Sequence, residues 1–251
     1  MPSPNVVDIA GRTDTLDGTA LPSFLSSSPG ALSLKLARYD AEGFDLGWFQ
    51  RDGIFCPDTI IRSVPKRQAE YFFGRLCARE ALLAAGLPAQ HVLSGPAREP
   101  VWPANVIGSI THNARFAAAA IAPKTAYAGI GIDIETIPAP PALAALEQGV
   151  LSEAELELLR NGAHQAPLPL LITAVFSAKE SFFKACYADV GHYFEFDAVS
   201  VRTFDLEQGV IELQQNVHLC PQLPAGMRHR IQLGRLTPDT VCTLYCRSTP
   251  G

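Results

Sequence analysis

What the sequence lacks narrows the field first. No uninterrupted apolar stretch approaches the roughly eighteen residues of a membrane-crossing helix. The longest candidate, Phe116 to Ile121, has the length of a strand. No basic segment leading into an apolar run opens the chain, where Asp8 stands instead, so no secretory leader is expected and a cytoplasmic address is. The six cysteines, at 56, 77, 186, 220, 242 and 246, form no Cys-x-x-Cys pair, which argues against a metal or disulfide role and for small buried thiols. Cys242 and Cys246 flank a short apolar run and suit one strand face. Excess positive charge is missing too: 20 Lys and Arg face 25 Asp and Glu, a net charge of −5, which disfavours a general nucleic-acid binder. An acidic total still leaves room for a local basic pocket. Gly129-Ile130-Gly131 has no third glycine at dinucleotide-binding spacing, so a Rossmann fingerprint is rejected. Neither a nucleophilic triad nor an internal repeat is evident.

What is present is a globular chain. At 251 residues, 47% hydrophobic and 18% charged, it can bury a sizeable core as one large domain or two modest ones, and it has no disorder signature. Residues 1–30, rich in Pro, Ser, Thr and Gly, read as a loose arm. Leu32 to Tyr39 alternates like a strand, and 40–57 reads as a loop. Ser63 to Ala85 is a strong helix: Pro65 suits its first turn, Ala69, Phe72, Phe73, Leu76, Ala81, Leu82 and Leu83 form its apolar stripe, and Gly86 stops it. Lys66, Arg67, Arg75 and Arg79 decorate its other side, read on their own as a solvated basic face.

Two strands are expected at Val106–Thr111, which presents His112, and at Phe116–Ile121. A third, Tyr127–Ile134, carries Gly129 and Gly131, which weaken a strand unless something approaches closely. Pro138 to Pro141 reads as a breaker. Ser152 and Glu155 form a capping box that opens a helix ending near Asn161-Gly162. Leu170 to Tyr187 is the longest helix. The remainder reads as an antiparallel sheet of runs at 194–203, 209–213, 227–236 and 240–246. Helix and strands thus recur in both halves, 31–127 and 128–251.

Chemistry concentrates in two stretches. In Gly129-Ile130-Gly131-Ile132-Asp133-Ile134-Glu135, strand alternation sends Asp133 and Glu135 to one face. In Phe176-Ser177-Ala178-Lys179-Glu180-Ser181-Phe182-Phe183-Lys184, Glu180 and Lys184 lie one helical turn apart. If helix and strand pack together, three carboxylates and two ammonium groups converge. Oxygen-only donors of this kind suit a hard cation such as Mg²⁺, with water and phosphate oxygens completing its shell. A lone histidine such as His112 is more often structural, and paired acids at a strand end are often merely exposed.

Asp133 and Glu135 with the Phe176–Lys184 block, preceded by Gly108-Ser109-Ile110-Thr111-His112, resemble the paired signature of the 4′-phosphopantetheinyl transferases. The resemblance covers roughly residues 60–200 and is strongest with the enterobactin synthase component D-like branch. Phe176 stands where a Trp is common in the family, and Thr111 where a Ser is. The resemblance implies an α+β fold of two similar α/β halves related by a pseudo-two-fold. Each half would hold a small, mostly antiparallel sheet and a long helix, with the ligand between them. It assigns Asp133, Glu135 and Glu180 to Mg²⁺, with Mn²⁺ as a substitute. Lys66, Arg67, Arg75, Arg98, Ser109, Thr111, His112, Asp133, Lys179 and Lys184 are assigned to coenzyme A, and Trp102 beside Arg98 is a candidate for coenzyme A contact or for simple packing.

The implied reaction is attack by a carrier-protein serine on the phosphorus nearest the pantetheine of coenzyme A, releasing 3′,5′-ADP. Glu180, Lys184 and Asp133 would carry it. The implied partners are acyl or peptidyl carrier proteins, and the implied state is a monomer. The acids alone would also permit a Mg²⁺-dependent phosphohydrolase, and a coenzyme A-binding protein without catalysis is the third reading.

Overall fold

The computed structural model describes residues 31–249, Pro22 and three two-residue strands, β1 (Val7–Asp8), β2 (Thr15–Leu16) and β3 (Thr19–Ala20). The expectation of a loose arm over 1–30 falls, apart from those pieces, outside the described residues. β1 pairs antiparallel with β4 (Ser33–Arg38), and β2 with β3. The chain divides into two compact units, with the division inside one strand between Ile130 and Gly131. β2, β3 and Pro22 group with the second unit.

In the first unit the sheet runs β1-β4-β8-β7, with β7 at Val106–His112 and β8 at Phe116–Pro123, while β5 (Leu93–Ser94) and β6 (Pro100–Val101) pair with each other. Its registered pairs are all antiparallel. The long helix α3 (Pro65–Ala84) packs on this sheet, preceded by the short helices α1 (Trp48–Arg51) and α2 (Asp58–Ile61). The fit follows from side-chain size. β8 contributes the buried run Ala117 to Ala120, whose small side chains let the helix lie close, and α3 answers with Ala69, Phe72, Phe73, Ala81 and Leu82. Phe44, Trp48 and Phe49 cap that core, and Tyr39 stacks on Phe73 at 4.2 Å. The segment 40–57 is irregular as expected except at Trp48–Arg51, which folds as α1 and buries Phe49.

The second unit holds a five-stranded sheet ordered β10-β11-β12-β13-β9. Its strands are β9 (Tyr127–Thr136), β10 (Val199–Asp205), β11 (Val210–Gln215), β12 (Arg228–Thr237) and β13 (Thr240–Ser248). Its helices are α4 (Pro140–Val150), α5 (Glu153–Asn161) and α6 (Leu168–Val190). α6 ends at Gly191, whose φ of 74° is the left-handed stop that glycine adopts without strain. Two expectations are corrected. Pro140 opens α4 rather than breaking structure, since a proline at the first helical position loses no hydrogen bond there. The run from Phe194 is not strand throughout: Phe196–Ala198 is a 3-10 turn, and β10 begins at Val199. The capping box is present as expected, with Ser152 Oγ accepting from the Glu155 N–H.

The protein is thus α+β, and each unit pairs one long helix with an antiparallel sheet. None of the six cysteines, all of them among the described residues, is in a disulfide.

Candidate functional site

The first group of charges belongs to the second unit. β9 carries Asp133 and Glu135 on one face. Asp133 is buried, and its Oδ1 lies 2.6 Å from Lys184 Nζ on α6. The same ammonium donates to the Ile132 carbonyl at 3.3 Å. The close approach that the strand glycines implied is real at Gly131. A Cβ there would stand 1.8 Å from the Ser181 carbonyl oxygen, so only glycine lets α6 sit this near to β9. The serines of the motif hold the helix to the next strand. Ser177 and Ser181 hydroxyls meet Thr243 Oγ1 on β13 at 2.9 and 2.7 Å, and Ser181 also donates to the Thr243 carbonyl.

The electrostatics of this cluster are dominated by burial, with the charges acting on one another in second place. Burial raises Glu135 to about 8, with Asp133 and Glu180 adding to the rise and Lys184 opposing it. Burial likewise raises Glu180, with Lys184 opposing and Asp133 reinforcing. For Lys184 burial works against the charge, but Asp133 beside it, then Glu180 and Glu135, outweigh burial and raise its pKa. One ammonium is therefore shared among three carboxylates. Among the described residues no three His, Cys, Asp or Glu side chains are already gathered as a metal-holding group. The donor set nevertheless fits a hard divalent cation: it is all oxygen, and its repulsion is of the kind that an added cation offsets.

Lys179 requires a correction. It was expected to reach coenzyme A, but it is 1% exposed and paired at 2.9 Å with Glu155, itself 4% exposed. A side chain enclosed in this way does not offer its charge to a ligand. Burial lowers its pKa and Glu155 raises it in turn.

The second group of charges lines a cleft of about 640 Å³ in the first unit, walled by Arg67, Glu70, Tyr71, Arg75, Ser94, Arg98, Ile110 and His112 among others. Arg67 Nη1 lies 2.9 Å from His112 Nε2 and 3.3 Å from Glu70 Oε2, and His112 Nδ1 is 3.8 Å from the same carboxylate oxygen. With guanidinium donating to Nε2, the histidine proton falls on Nδ1, facing Glu70. Arg75 donates to Ser94 Oγ at 2.8 Å and lies over the Tyr71 ring, 4.7 Å from its centroid. Its Nε is buried without a hydrogen-bond partner, a donor that an anion in the cleft would satisfy. Arg98, exposed at φ 66°, completes the cationic wall.

Two further expectations are corrected here. Ser109 and Thr111 are each 4% exposed, and they alternate along β7 with Ile110 and His112, the residues that face the cleft. A strand cannot turn consecutive side chains to one face. Lys66 is exposed on α3 outside the cleft wall. Trp102 serves packing, donating from Nε1 to the Gly108 carbonyl at 2.9 Å. Glu70, Tyr71 and Ser94 were missed. An acid three residues after Arg67 on a helix was a legible signal for Glu70, whereas Ser94 carries none.

These features define an α+β protein with a cationic cleft in its first unit and a carboxylate–lysine cluster in its second. The 4′-phosphopantetheinyl transferase N-terminal domain model matches residues 57–122, and the 4′-phosphopantetheinyl transferase superfamily model matches 129–230. Enterobactin synthase component D of Salmonella typhi is 31% identical over 200 residues, 78% of this chain and 77% of that protein. The chain belongs to the 4′-phosphopantetheinyl transferase family. It is also similar to 4′-phosphopantetheinyl transferase Svp of Streptomyces mobaraensis, 41% identical over 55% of each chain. Against 4′-phosphopantetheinyl transferase Npt of Nocardia iowensis it is 34% identical over 60% of this chain and 65% of the relative, so these two are matched over less than two thirds of their length. A solved holo-(acyl-carrier-protein) synthase from Bacillus anthracis, in complex with CoA (3′,5′-ADP), aligns with 50% of this chain and 99% of its own at 20% identity. Its TM-score of 0.32 carries no argument.

Proposed function

We propose that this protein transfers the 4′-phosphopantetheine group of coenzyme A to a serine of an acyl or peptidyl carrier protein and releases 3′,5′-ADP. The observation that carries the reading is the Asp133–Lys184 pair set among Glu135 and Glu180, on the segment that the superfamily model matches. The two units read as one helix-on-sheet plan used twice.

Each step falls to groups already placed. Arg67, Arg75, Arg98 and His112 take the phosphorylated nucleotide end, guanidinium groups being suited to bidentate phosphate contact. Asp133, Glu135 and Glu180 would hold Mg²⁺, which when bound neutralises charge on the diphosphate and on the leaving group. Glu180 accepts the proton of the serine hydroxyl. The serine oxygen bonds to the phosphorus nearest the pantetheine, and the bond from that phosphorus to the bridging oxygen breaks. The bridging oxygen leaves with 3′,5′-ADP. Lys184, fixed by Asp133 and the Ile132 carbonyl, presents its ammonium to the phosphoryl oxygens without reorganising at the moment of transfer.

The test is the intact mass of apo carrier proteins after incubation with the protein, coenzyme A and Mg²⁺. A gain of about 340 Da, abolished by a chelator, is expected. Release of pantetheine phosphate without carrier modification would instead make the protein a phosphohydrolase.

A further inference from the structure

Lys179 and Glu155 lie outside the reacting groups, yet every polar atom of both is engaged. Lys179 Nζ donates to Glu155 Oε1 at 2.9 Å, to the Val150 carbonyl at 2.8 Å and to the Phe196 carbonyl at 3.3 Å, which uses all three of its N–H bonds. Glu155 Oε1 also accepts the Val201 N–H at 2.8 Å. Its Oε2 accepts from the Ser152 N–H at 2.8 Å and from Ser152 Oγ at 2.9 Å. One enclosed ion pair thus ties together the last residue of α4, the N-terminus of α5, the middle of α6, the 3-10 turn and the start of β10.

Stability alone does not call for charge at this place. Apolar residues of similar volume commonly replace a buried ion pair without loss of stability. Directional bonds to five segments supply something an apolar contact does not, a fixed depth and rotation for α6. Glu180 is the next residue along that helix, and Lys184 follows one turn later. The Ser177–Thr243 and Ser181–Thr243 contacts fasten the same helix to the sheet.

We propose that Lys179 and Glu155 are positioning residues that set α6 so that Glu180 and Lys184 meet the Asp133–Glu135 face in the geometry of transfer. The proposal rests on the transferase reading above. A slip of one residue along a helix moves a side chain by about 1.5 Å and turns it by about 100°. A misplacement of about 1 Å is enough to cost on the order of 100-fold in rate.

The experiment uses the full chain with Lys179 and Glu155 exchanged together for methionine (E155M/K179M), because removing one partner alone strands a buried charge. Thermal unfolding establishes that the double variant folds, and steady-state kinetics with coenzyme A, Mg²⁺ and a carrier protein follow. The expected result is near-native stability, kcat reduced about 10- to 100-fold, and KM for coenzyme A within about twofold of wild type. Recovery of kcat along with stability would make the pair purely structural and overturn the proposal. A raised KM with unchanged kcat would return Lys179 to coenzyme A contact and overturn it equally. If the methionine pair does not fold, E155Q/K179M, which keeps one acceptor oxygen for either the Ser152 or the Val201 N–H, carries the same expectations. A wild type that modifies no carrier removes the transferase reading and this inference with it, whereas an active wild type with an equally active double variant removes the positioning role alone.

Discussion

Glu180 has two duties in the proposed reaction, and one substitution separates them. Glu180→Gln removes proton acceptance but keeps an amide oxygen able to hold a metal weakly. A pure base loss lowers transfer by roughly 10²–10⁴ and is not repaired by metal. A pure ligand loss is repaired by raising Mg²⁺. Burial and the neighbouring Asp133 raise Glu180 while Lys184 opposes, which places the carboxylate among both kinds of partner. The expected outcome is mixed: a large rate loss that excess Mg²⁺ restores only in part. A Mg²⁺ titration of carrier modification by wild type and variant reads it. Complete rescue at saturating metal would exclude the base role, and wild-type kinetics throughout would exclude both.

Among the elements, the seam between β9 and α6 decides whether the cluster exists at all. Gly131 faces the Ser181 carbonyl so closely that a methyl group has no room, and the obstacle is backbone rather than a side chain able to swing aside. Gly131→Ala should therefore force the helix off the strand and destabilise the protein by about 3 kcal/mol, the upper part of the range for overpacking. Urea unfolding gives the value from the shift in midpoint. Because α6 carries Glu180 and Lys184, activity measured where the variant is still fully folded should also fall. An alanine variant with native stability and native activity would mean that the seam is looser than its geometry.

For the molecule as a whole, stability should depend on pH through His229 in the second unit. The imidazole is 1% exposed, with Nδ1 2.8 Å from the Tyr245 hydroxyl and Nε2 3.2 Å from Gln215 Oε1. Gln215 uses its amide nitrogen on the Val217 and Leu223 carbonyls, so Nε2 carries the proton and the ring is neutral. Burial pushes its pKa down to about 4 from 6.5. The unfolded chain therefore binds the extra proton first, and stability is lost as pH falls from 6.5 towards 4. Between pH 7 and 5 the loss amounts to about 2 kcal/mol. Glu135, raised from 4.5 to about 8, acts with the opposite sign across the same window, its contribution being lost as pH rises from 4.5 through about 8. The His229 effect is therefore read as a difference: urea midpoints of wild type should fall more steeply from pH 7 to 5 than those of His229→Gln. Parallel profiles would show that this histidine is not desolvated.

The sequence by itself determined the long helices, the strand alternation that sends Asp133 and Glu135 to one face, and the capping box at Ser152. All of these follow from local periodicity and short-range hydrogen bonding, which need no knowledge of what packs where. It also carried the family signature, and even the reason for a glycine at 131. Only the tertiary structure decided what each charge faces. Lys179 and Lys184 are equally basic in the sequence, but one is enclosed with Glu155 and the other stands against Asp133. Ser109 and His112 are near neighbours in the sequence, but the pleat buries the first and turns the second into the cleft. Pro140 looked like an end of structure and proved to be a beginning, because its place at the first turn of α4 was set by what Leu143 and Leu146 pack against. A side chain's charge is a local property. Its partners, and hence its pKa and its use, are set by residues distant in the chain that folding brings beside it.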